Sequence, residues 1–442
     1  MKLLVCDRIS LRGLDLLKDR KDIKVVFKPD LDFDQLLDEV RDTEALIVRS
    51  RTKITREVIE AATQLKVIGR AGTGVDNIDV LAATQKGVLV MTTPRANSVS
   101  AAEHAFALLI SLARGITQAH FSLKAGEWDK SNFVGKELQG KTLGILGLGQ
   151  IGSLLAKRAC AFDMKLIAYD PFVSKHYASE HNVTLEHLNS VFKKSDFLSL
   201  HLPLNKKTKG IVCKKTLTLM KNSSFLINTA RGGLILESDL LDQLENDLLA
   251  GAALDVFEQE PILSSRMREN NRLLLTPHIA GSTVEAQDKA GETIATQVIE
   301  YLDKATIVNA VNFFGLTPPE SRKLDSFMEL AFNLGSFSAQ IFDMPLKKVR
   351  IRYFGDLSNL DYRPITNHIL RSVLDPLLAQ PVNEINARTY AEERKIEVVE
   401  TVSTENQEQT TLISIQLLNS KQSVLVEGSI FEKKKLFNIL SL

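Results

Sequence analysis

The sequence predicts an α/β chain in which a doubly wound parallel-sheet domain is inserted into a smaller α/β domain, with an α+β domain following both. Three observations predict this. A glycine-rich strand–turn–helix signal, LGILGLGQIGSLL, stands at 143–155, with about a third of the chain ahead of it. Short apolar strand candidates recur on both sides of it at intervals of about twenty residues, the rhythm of βα units in a parallel sheet. After residue 313 that rhythm gives way to helical stretches and closely spaced strand candidates.

In chain order, LLVCD (3–7), KVVF (24–27), ALIV (45–48), KVIG (66–69) and VLVM (88–91) are the strands of the first domain, which carries no glycine fingerprint and is expected to be flavodoxin-like. Pro94 then breaks the chain. Ser98 or Ser100 is expected to cap a helix that runs to about Ala125. That helix is apolar on more than one face, which predicts burial between domains or subunits. Gly126, Trp128 and the polar KSN at 130–132 form an exposed excursion before the fingerprint.

Six strand candidates follow: TLGIL (142–146), KLIAY (165–169), DFLSL (196–200), SFLIN (224–228), GAALDV (251–256) and RLLLT (272–276). Six strands separated by helical stretches make a complete Rossmann-type fold. A helix from AGSTVEAQ onward leads to VNAVN at 308–312, which is too short to be a domain and is expected to return to the first one. The expected domains are therefore 1–98 with 280–312, then 99–279, then 313–442. LTPPES marks the last boundary. Beyond it a helical stretch to about 343 precedes a βααβββ pattern: KVRIRYF (348–354), helices near 364–380 and 382–393, then KIEVVETV, TLISIQLL and SVLVEGSIF, with STENQEQT (403–410) as a hairpin loop.

Composition narrows the function. A chain of 442 residues is too long for one core. Its 55 basic and 54 acidic residues nearly cancel, so no net field recruits nucleic acid or an anionic membrane. Cys6, Cys160 and Cys213 are scattered without metal-ligand spacing, which fits buried thiols in a reducing compartment. MKLLVCDRIS meets charge too soon for a secretory signal. AFALLISLA at 105–113 is far short of a bilayer span. A cytoplasmic protein without a metal is expected.

Gly147, Gly149 and Gly152 make the G-x-G-x-x-G arrangement, which aims backbone N–H groups and a helix N-terminus at a pyrophosphate. Asp170 closes the next strand, where a carboxylate takes both ribose hydroxyls and repels a 2′-phosphate, favouring NAD over NADP. Ligands of such sheets bind outside the carboxyl ends of the strands. The last three strands end in TARGG with Arg231, FEQEP with Glu260 and PHIAGS with His278. A guanidinium, a carboxylate and an imidazole at one sheet edge are what hydride transfer from a 2-hydroxy acid requires. Neutral imidazole takes the hydroxyl proton, the carboxylate fixes its tautomer, and the guanidinium grips the substrate carboxylate at two points.

GRAGTGVDNID, GKTLGILGLGQIG, NTARGG, AALDVFEQEP and PHIAGST resemble the D-isomer-specific 2-hydroxyacid dehydrogenases over residues 1–312. The resemblance implies a homodimer or homotetramer, with Arg231, Glu260 and His278 in the roles just given. It also implies cofactor contacts from Gln150, Ile151, Asp170, Pro203, Thr229 and Ala230, and from Asp255 and Gly281. For the substrate it implies the loop backbone at Thr73, Gly74 and Val75, with Asn77 behind it, and cations at Arg49 and Arg70 for a phosphate. Lys130 is expected to reach a neighbouring subunit. The member it most resembles oxidises 3-phospho-D-glycerate to 3-phosphohydroxypyruvate with NAD, the first step of L-serine biosynthesis. A sibling dehydrogenase or hydroxypyruvate/glyoxylate reductase acting on an unphosphorylated acid is one alternative, and an NAD-sensing corepressor on the same scaffold is another. The last domain resembles the intervening, allosteric substrate-binding domain of long family members. Those forms continue into a serine-binding ACT domain, whereas this sequence stops at KKKLFNILSL: either this form lacks such feedback or the chain is shortened relative to its parent, and serine is not expected to act on the 442 residues through such a domain.

Overall fold

The computed structural model describes residues 1–262, 264–313, 318–342, 345–355, 361–378, 380–403, 411–431 and 436–441. The chain forms two compact units: residues 1–94 with 288–442, and residues 95–287. The inserted part is thus a unit of its own, with divisions at 94/95 and 287/288 where the sequence placed them at 98/99 and 279/280. The first and third expected domains fall together in one unit.

In the discontinuous unit, β1 (Lys2–Val5), β2 (Lys24–Phe27), β3 (Ala45–Val48), β4 (Val67–Arg70) and β5 (Leu89–Thr92) form a parallel sheet in the order β2-β1-β3-β4-β5. That is the flavodoxin-like order. β3 and β5 are buried throughout because helices cover both faces, and β2 at the edge is the exposed strand. The returning VNAVN segment lies antiparallel to β5, with Thr92 N–H donating to Asn309 O and Val311 N–H to Val90 O. Asn312 completes the junction by accepting from Val90 N–H and donating to Val88 O and Thr84 Oγ1.

The inserted unit is a seven-stranded parallel sheet. Its strands are β6 (Thr142–Leu146), β7 (Lys165–Tyr169), β8 (Thr184–Leu185), β9 (Phe197–Leu200), β10 (Phe225–Asn228), β11 (Gly251–Leu254) and β12 (Leu273–Leu275), in the order β12-β11-β10-β9-β6-β7-β8. The direction of winding reverses between β6 and β9, the place where such sheets open a ligand crevice. Only the two-residue edge strand β8 escaped the sequence reading; it is too short to carry a period.

The long helix expected from Ser98 to about Ala125 is two helices, Ser98–Arg114 and Ile116–Lys124, bent by 64°. Gly115, at φ 58°, supplies the left-handed residue that ends the first. Asn97 occupies the cap position; Ser98 and Ser100 lie inside the helix. The first helix buries Ala105, Leu108, Leu109 and Leu112, while the second buries nothing. Among the described residues no single helix is long and apolar enough to cross a membrane.

The C-terminal part of the discontinuous unit is a mixed sheet of β13 (Lys348–Phe354), β14 (Glu397–Ser403), β15 (Leu412–Leu418), β16 (Ser423–Phe431) and β17 (Leu436–Ser441), ordered β14-β13-β15-β16-β17. Helices Pro318–Gln340 and Arg363–Leu374 supply the apolar cluster behind it, Leu330, Leu334, Ile365 and Ile369 meeting Val349, Ile351 and Ile415. The expected second helix is shorter, Ala387–Glu393, and β17 was not expected because LFNILSL lacks a two-residue alternation. The loop residues 404–410, and residues 316 and 317 of LTPPES, lie outside the described residues.

Candidate active site

The fingerprint turn is built by exclusion. At Gly147, φ 94°, an added Cβ would stand 2.7 Å from the His201 carbonyl oxygen, and at Gly152 it would stand 2.2 Å from the Gly147 carbonyl oxygen. Both positions therefore exclude a side chain. Gly149 has nothing within 4 Å of a Cβ, so open space lies at the N-terminus of helix Gln150–Cys160. Gln150 and Ile151 open that helix. Beyond β7, the Asp170 carboxylate accepts from Leu148 N–H and Phe172 N–H, each at 2.9 Å, which ties it to the turn and leaves lone pairs on both oxygens.

Thr229, after β10, is buried, and its Oγ1 has no hydrogen-bond partner among the described residues. An orphaned buried hydroxyl costs about 1–3 kcal/mol unless a ligand satisfies it. The open face at Gly149, the Asp170 carboxylate and this hydroxyl are what a bound dinucleotide would use, and the residues present fit one. Ala230 N–H is engaged with Asn228 Oδ1 at 3.1 Å, and the Pro203 carbonyl accepts from Thr208 at 2.6 Å. A Cβ at Gly281 would meet the Asn97 side chain at 2.8 Å.

β10, β11 and β12 run side by side, with Asn228 opposite Leu254 and Leu254 opposite Leu275. Their carboxyl ends therefore bring the loops of Arg231, Glu260 and His278 to one edge. His278 Nδ1 lies 2.8 Å from Glu260 Oε2. The other carboxylate oxygen, Oε1, accepts from Phe257 N–H at 3.1 Å, which fixes the acid from its own loop. Gly232 locks the arginine loop against the glutamate loop: a Cβ there would fall 1.9 Å from the Phe257 carbonyl. Arg231 follows with its Nη1 on the Ala230 carbonyl at 2.7 Å. His278 and Glu260 keep side-chain exposures of 50% and 38%, so the pair is open to a substrate.

Asp255, expected to touch the cofactor, is fully buried, and its carboxylate serves the turn that carries His278. It accepts from Thr276 Oγ1 (2.6 Å), Ile279 N–H (2.9 Å) and Ala280 N–H (2.9 Å). Burial pushes this carboxyl up, but the bonds from His104, Thr276 and the two backbone groups outweigh it and hold it below the usual carboxylate range. Sequence reasoning missed His104, which sits on an apolar helix with no motif around it.

In the discontinuous unit, the carboxyl ends of β1, β3 and β4 gather the residues expected to bind substrate. Asp7, just beyond β1 and only 3% exposed, accepts from Arg49 N–H (2.5 Å), Thr52 N–H (3.3 Å) and Thr52 Oγ1 (2.8 Å). From the other side Asn77 Nδ2 donates to the carbonyls of Arg49 (2.7 Å) and Thr52 (2.6 Å). Its amide nitrogen therefore supports the loop from behind. Arg49 Nη1 reaches Arg8 O at 3.1 Å, and Arg51 pairs with Asp30. The Arg70 guanidinium lies over Gly72, so close that a Cβ there would stand 1.8 Å from Nη1. Thr73, Gly74 and Val75 follow, and the N–H groups of Gly74 and Val75 serve no acceptor among the described residues. Asp7 was legible only by applying the strand-end rule to this first sheet as well.

Lys130 belongs to the inserted unit and lies over the Trp128 ring at 5.8 Å, with Trp128 76% exposed. Among the described residues, no group of three or more His, Cys, Asp or Glu could hold a metal.

Comparison with known proteins agrees with this layout. Residues 106–280 match the D-isomer specific 2-hydroxyacid dehydrogenase NAD binding domain, and residues 323–439 the D-3-phosphoglycerate dehydrogenase intervening domain. D-3-phosphoglycerate dehydrogenase of Methanocaldococcus jannaschii is 40% identical over 435 residues, covering 98% of this chain and 82% of that protein. The enzyme of the same name from Bacillus subtilis is 39% identical over 428 residues, covering 97% and 81%. Among solved structures, D-lactate dehydrogenase of Aquifex aeolicus, complexed with NAD and lactic acid, superposes with a TM-score of 0.60 at 26% identity, covering 70% of this chain and 99% of that one.

Proposed function

The chain belongs to the D-3-phosphoglycerate dehydrogenases of the D-isomer specific 2-hydroxyacid dehydrogenase family, and we propose that it oxidises 3-phospho-D-glycerate to 3-phosphohydroxypyruvate with NAD, the first step of L-serine biosynthesis. The observation that carries the chemistry is the 2.8 Å contact of His278 Nδ1 with Glu260 Oε2 at the carboxyl edge of the inserted sheet.

A carboxylate only accepts, so Nδ1 carries the proton of that bond and Nε2 keeps its lone pair. Nε2 then takes the proton of the substrate hydroxyl, and Glu260 stabilises the imidazolium that forms. Arg231 grips the substrate carboxylate bidentately and fixes the reacting carbon. NAD, when bound, supplies the hydride acceptor. Gly147, Gly149 and Gly152 with the helix start at Gln150 and Ile151 would hold its pyrophosphate, and Asp170 its ribose. Pro203, Thr229, Ala230 and Gly281 complete the proposed cofactor set, with Asp255 supporting the Gly281 turn from beneath.

For the substrate we assign the carboxylate to the backbone of Thr73, Gly74 and Val75, and the phosphate to Arg49 and Arg70, with Lys130 contributed from a second copy. A homodimer or homotetramer belongs to the same reading. The helix Ile116–Lys124 and the loop after it leave Ile116, Phe121, Leu123, Trp128 and Val134 exposed, an apolar patch of the kind that marks an interface. A cytoplasmic location fits the free thiols of Cys6, Cys160 and Cys213.

A panel of 2-hydroxy acids with and without a terminal phosphate, followed by NADH absorbance, tests the reaction. The phosphorylated acid should give the highest kcat/KM. His278→Ala should lower kcat by about a thousandfold with NAD affinity retained. Equal turnover of unphosphorylated acids would reject the substrate, and an unchanged kcat in His278→Ala would reject the base.

A further inference from the structure

We propose that His104, on the helix Ser98–Arg114, is a positioning residue for the reaction: through Asp255 and Thr276 it holds the turn that carries His278. The inference rests on the reading of His278 as the base.

The proton assignment follows from the contacts. Asp255 lies at zero exposure and its carboxylate, held ionised, can only accept. Thr276 Oγ1, at 2.6 Å from Asp255 Oδ1, must therefore spend its one proton there. Toward His104 Nε2, at 3.1 Å, the same hydroxyl oxygen can then act only as an acceptor. Nε2 must carry a hydrogen. It also lies 3.3 Å from Asp255 Oδ1, so the one N–H spans the hydroxyl and the carboxylate. His104 thus ties a helix of the inserted unit to the polar cluster under the turn.

What that cluster holds is under strain. His278 adopts φ 53°, the left-handed region that a non-glycine residue keeps only when its surroundings dictate it. The dictating bonds are those of Asp255 to Thr276, Ile279 and Ala280, on both sides of His278. Removing the His104 donor deprives a buried carboxylate of one partner and leaves the Thr276 hydroxyl free to turn away. The turn then has an ordinary backbone state to relax into, and the imidazole leaves its alignment with Glu260 Oε2. Because the damage is to alignment, it falls on kcat; the pyrophosphate and ribose of NAD would be held by the fingerprint and Asp170, on other strands.

The test compares His104→Gln with His104→Asn in the full chain. The glutamine amide nitrogen stands about where Nε2 stands; the asparagine nitrogen stops one bond short. His104→Asn should lose about tenfold in kcat, His104→Gln should recover most of that loss, and both should bind NADH within about twofold of the parent by fluorescence titration. Thermal melts of both variants establish that folded protein is compared. The inference is overturned by a kcat within about twofold of the parent in His104→Asn, by equal losses in the two variants, or by a loss matched by an equal fall in NADH affinity. His278→Ala run alongside separates the two readings. If it keeps its activity the base assignment fails. If it loses activity while His104→Asn does not, only the role of His104 fails.

Discussion

Single side chains set two measurable properties. Asp7 and Asn77 grip the loop of Arg49 and Thr52 from opposite sides, so the proposed phosphate ligand is placed by its backbone. Arg49→Ala should raise the KM for phosphoglycerate at least about tenfold, and Asp7→Ala by a smaller factor, with the KM for NAD unchanged in both. Steady-state kinetics check this. His201 governs a pH effect: burial pushes its imidazole down to about 4 from an ordinary 6.5. The unfolded chain binds a proton that the folded state refuses, so this ring's contribution to stability is full above about 6.5 and is lost as pH falls toward about 4. Denaturant unfolding between pH 7 and 4 should show His201→Gln losing less stability than the parent, by on the order of 2 kcal/mol.

At the scale of an element, the strand–turn–helix of the fingerprint and the loops beside it separate packing glycines from a binding glycine. Gly232 backs onto the Phe257 carbonyl, and Gly149 faces open space at φ −78°. Gly232→Ala should therefore destabilise the protein by about 3 kcal/mol or more. Gly149→Ala should leave the melting temperature nearly unchanged and weaken NADH binding about tenfold, since a methyl group then occupies the cradle. Melts and NADH titrations on the two variants distinguish these outcomes. The bend at Gly115 belongs to the same scale. A left-handed glycine ends the buried helix, and the helix beyond it leaves Ile116, Phe121 and Leu123 exposed.

Across the molecule, the C-terminal sheet and the first sheet share one unit, and polar contacts join them. Asn383 Nδ2 donates to the Gly87 carbonyl at 2.8 Å and Gln85 Nε2 to Glu393 Oε1 at 2.6 Å. Gly87, at φ 73°, has no room for a Cβ, which would stand 2.4 Å from the Asn383 amide. Asn383→Ala should cost about 1–2 kcal/mol and speed hydrogen exchange at residues 85–88, while leaving NADH affinity as it was. Exchange confined to the C-terminal domain would show that these contacts do not couple the two parts.

Local chemistry was enough to specify much of this from the sequence. Glycine spacing, a carboxylate at the next strand end and apolar runs at βα intervals are short-range signals, and they identified both parallel sheets, the inserted order and the loops of Arg231, Glu260 and His278. The family resemblance added the intervening domain and the substrate. Only tertiary structure decided where the helix after Pro94 breaks, that the Asn77 amide nitrogen and the Asp255 carboxylate are spent on the chain itself, and what Asp7 and His104 bind. Those four residues act through partners 21 to 172 positions away in the chain. A hydrogen bond of that kind depends on which strand ends adjoin, and no local pattern of residues encodes that.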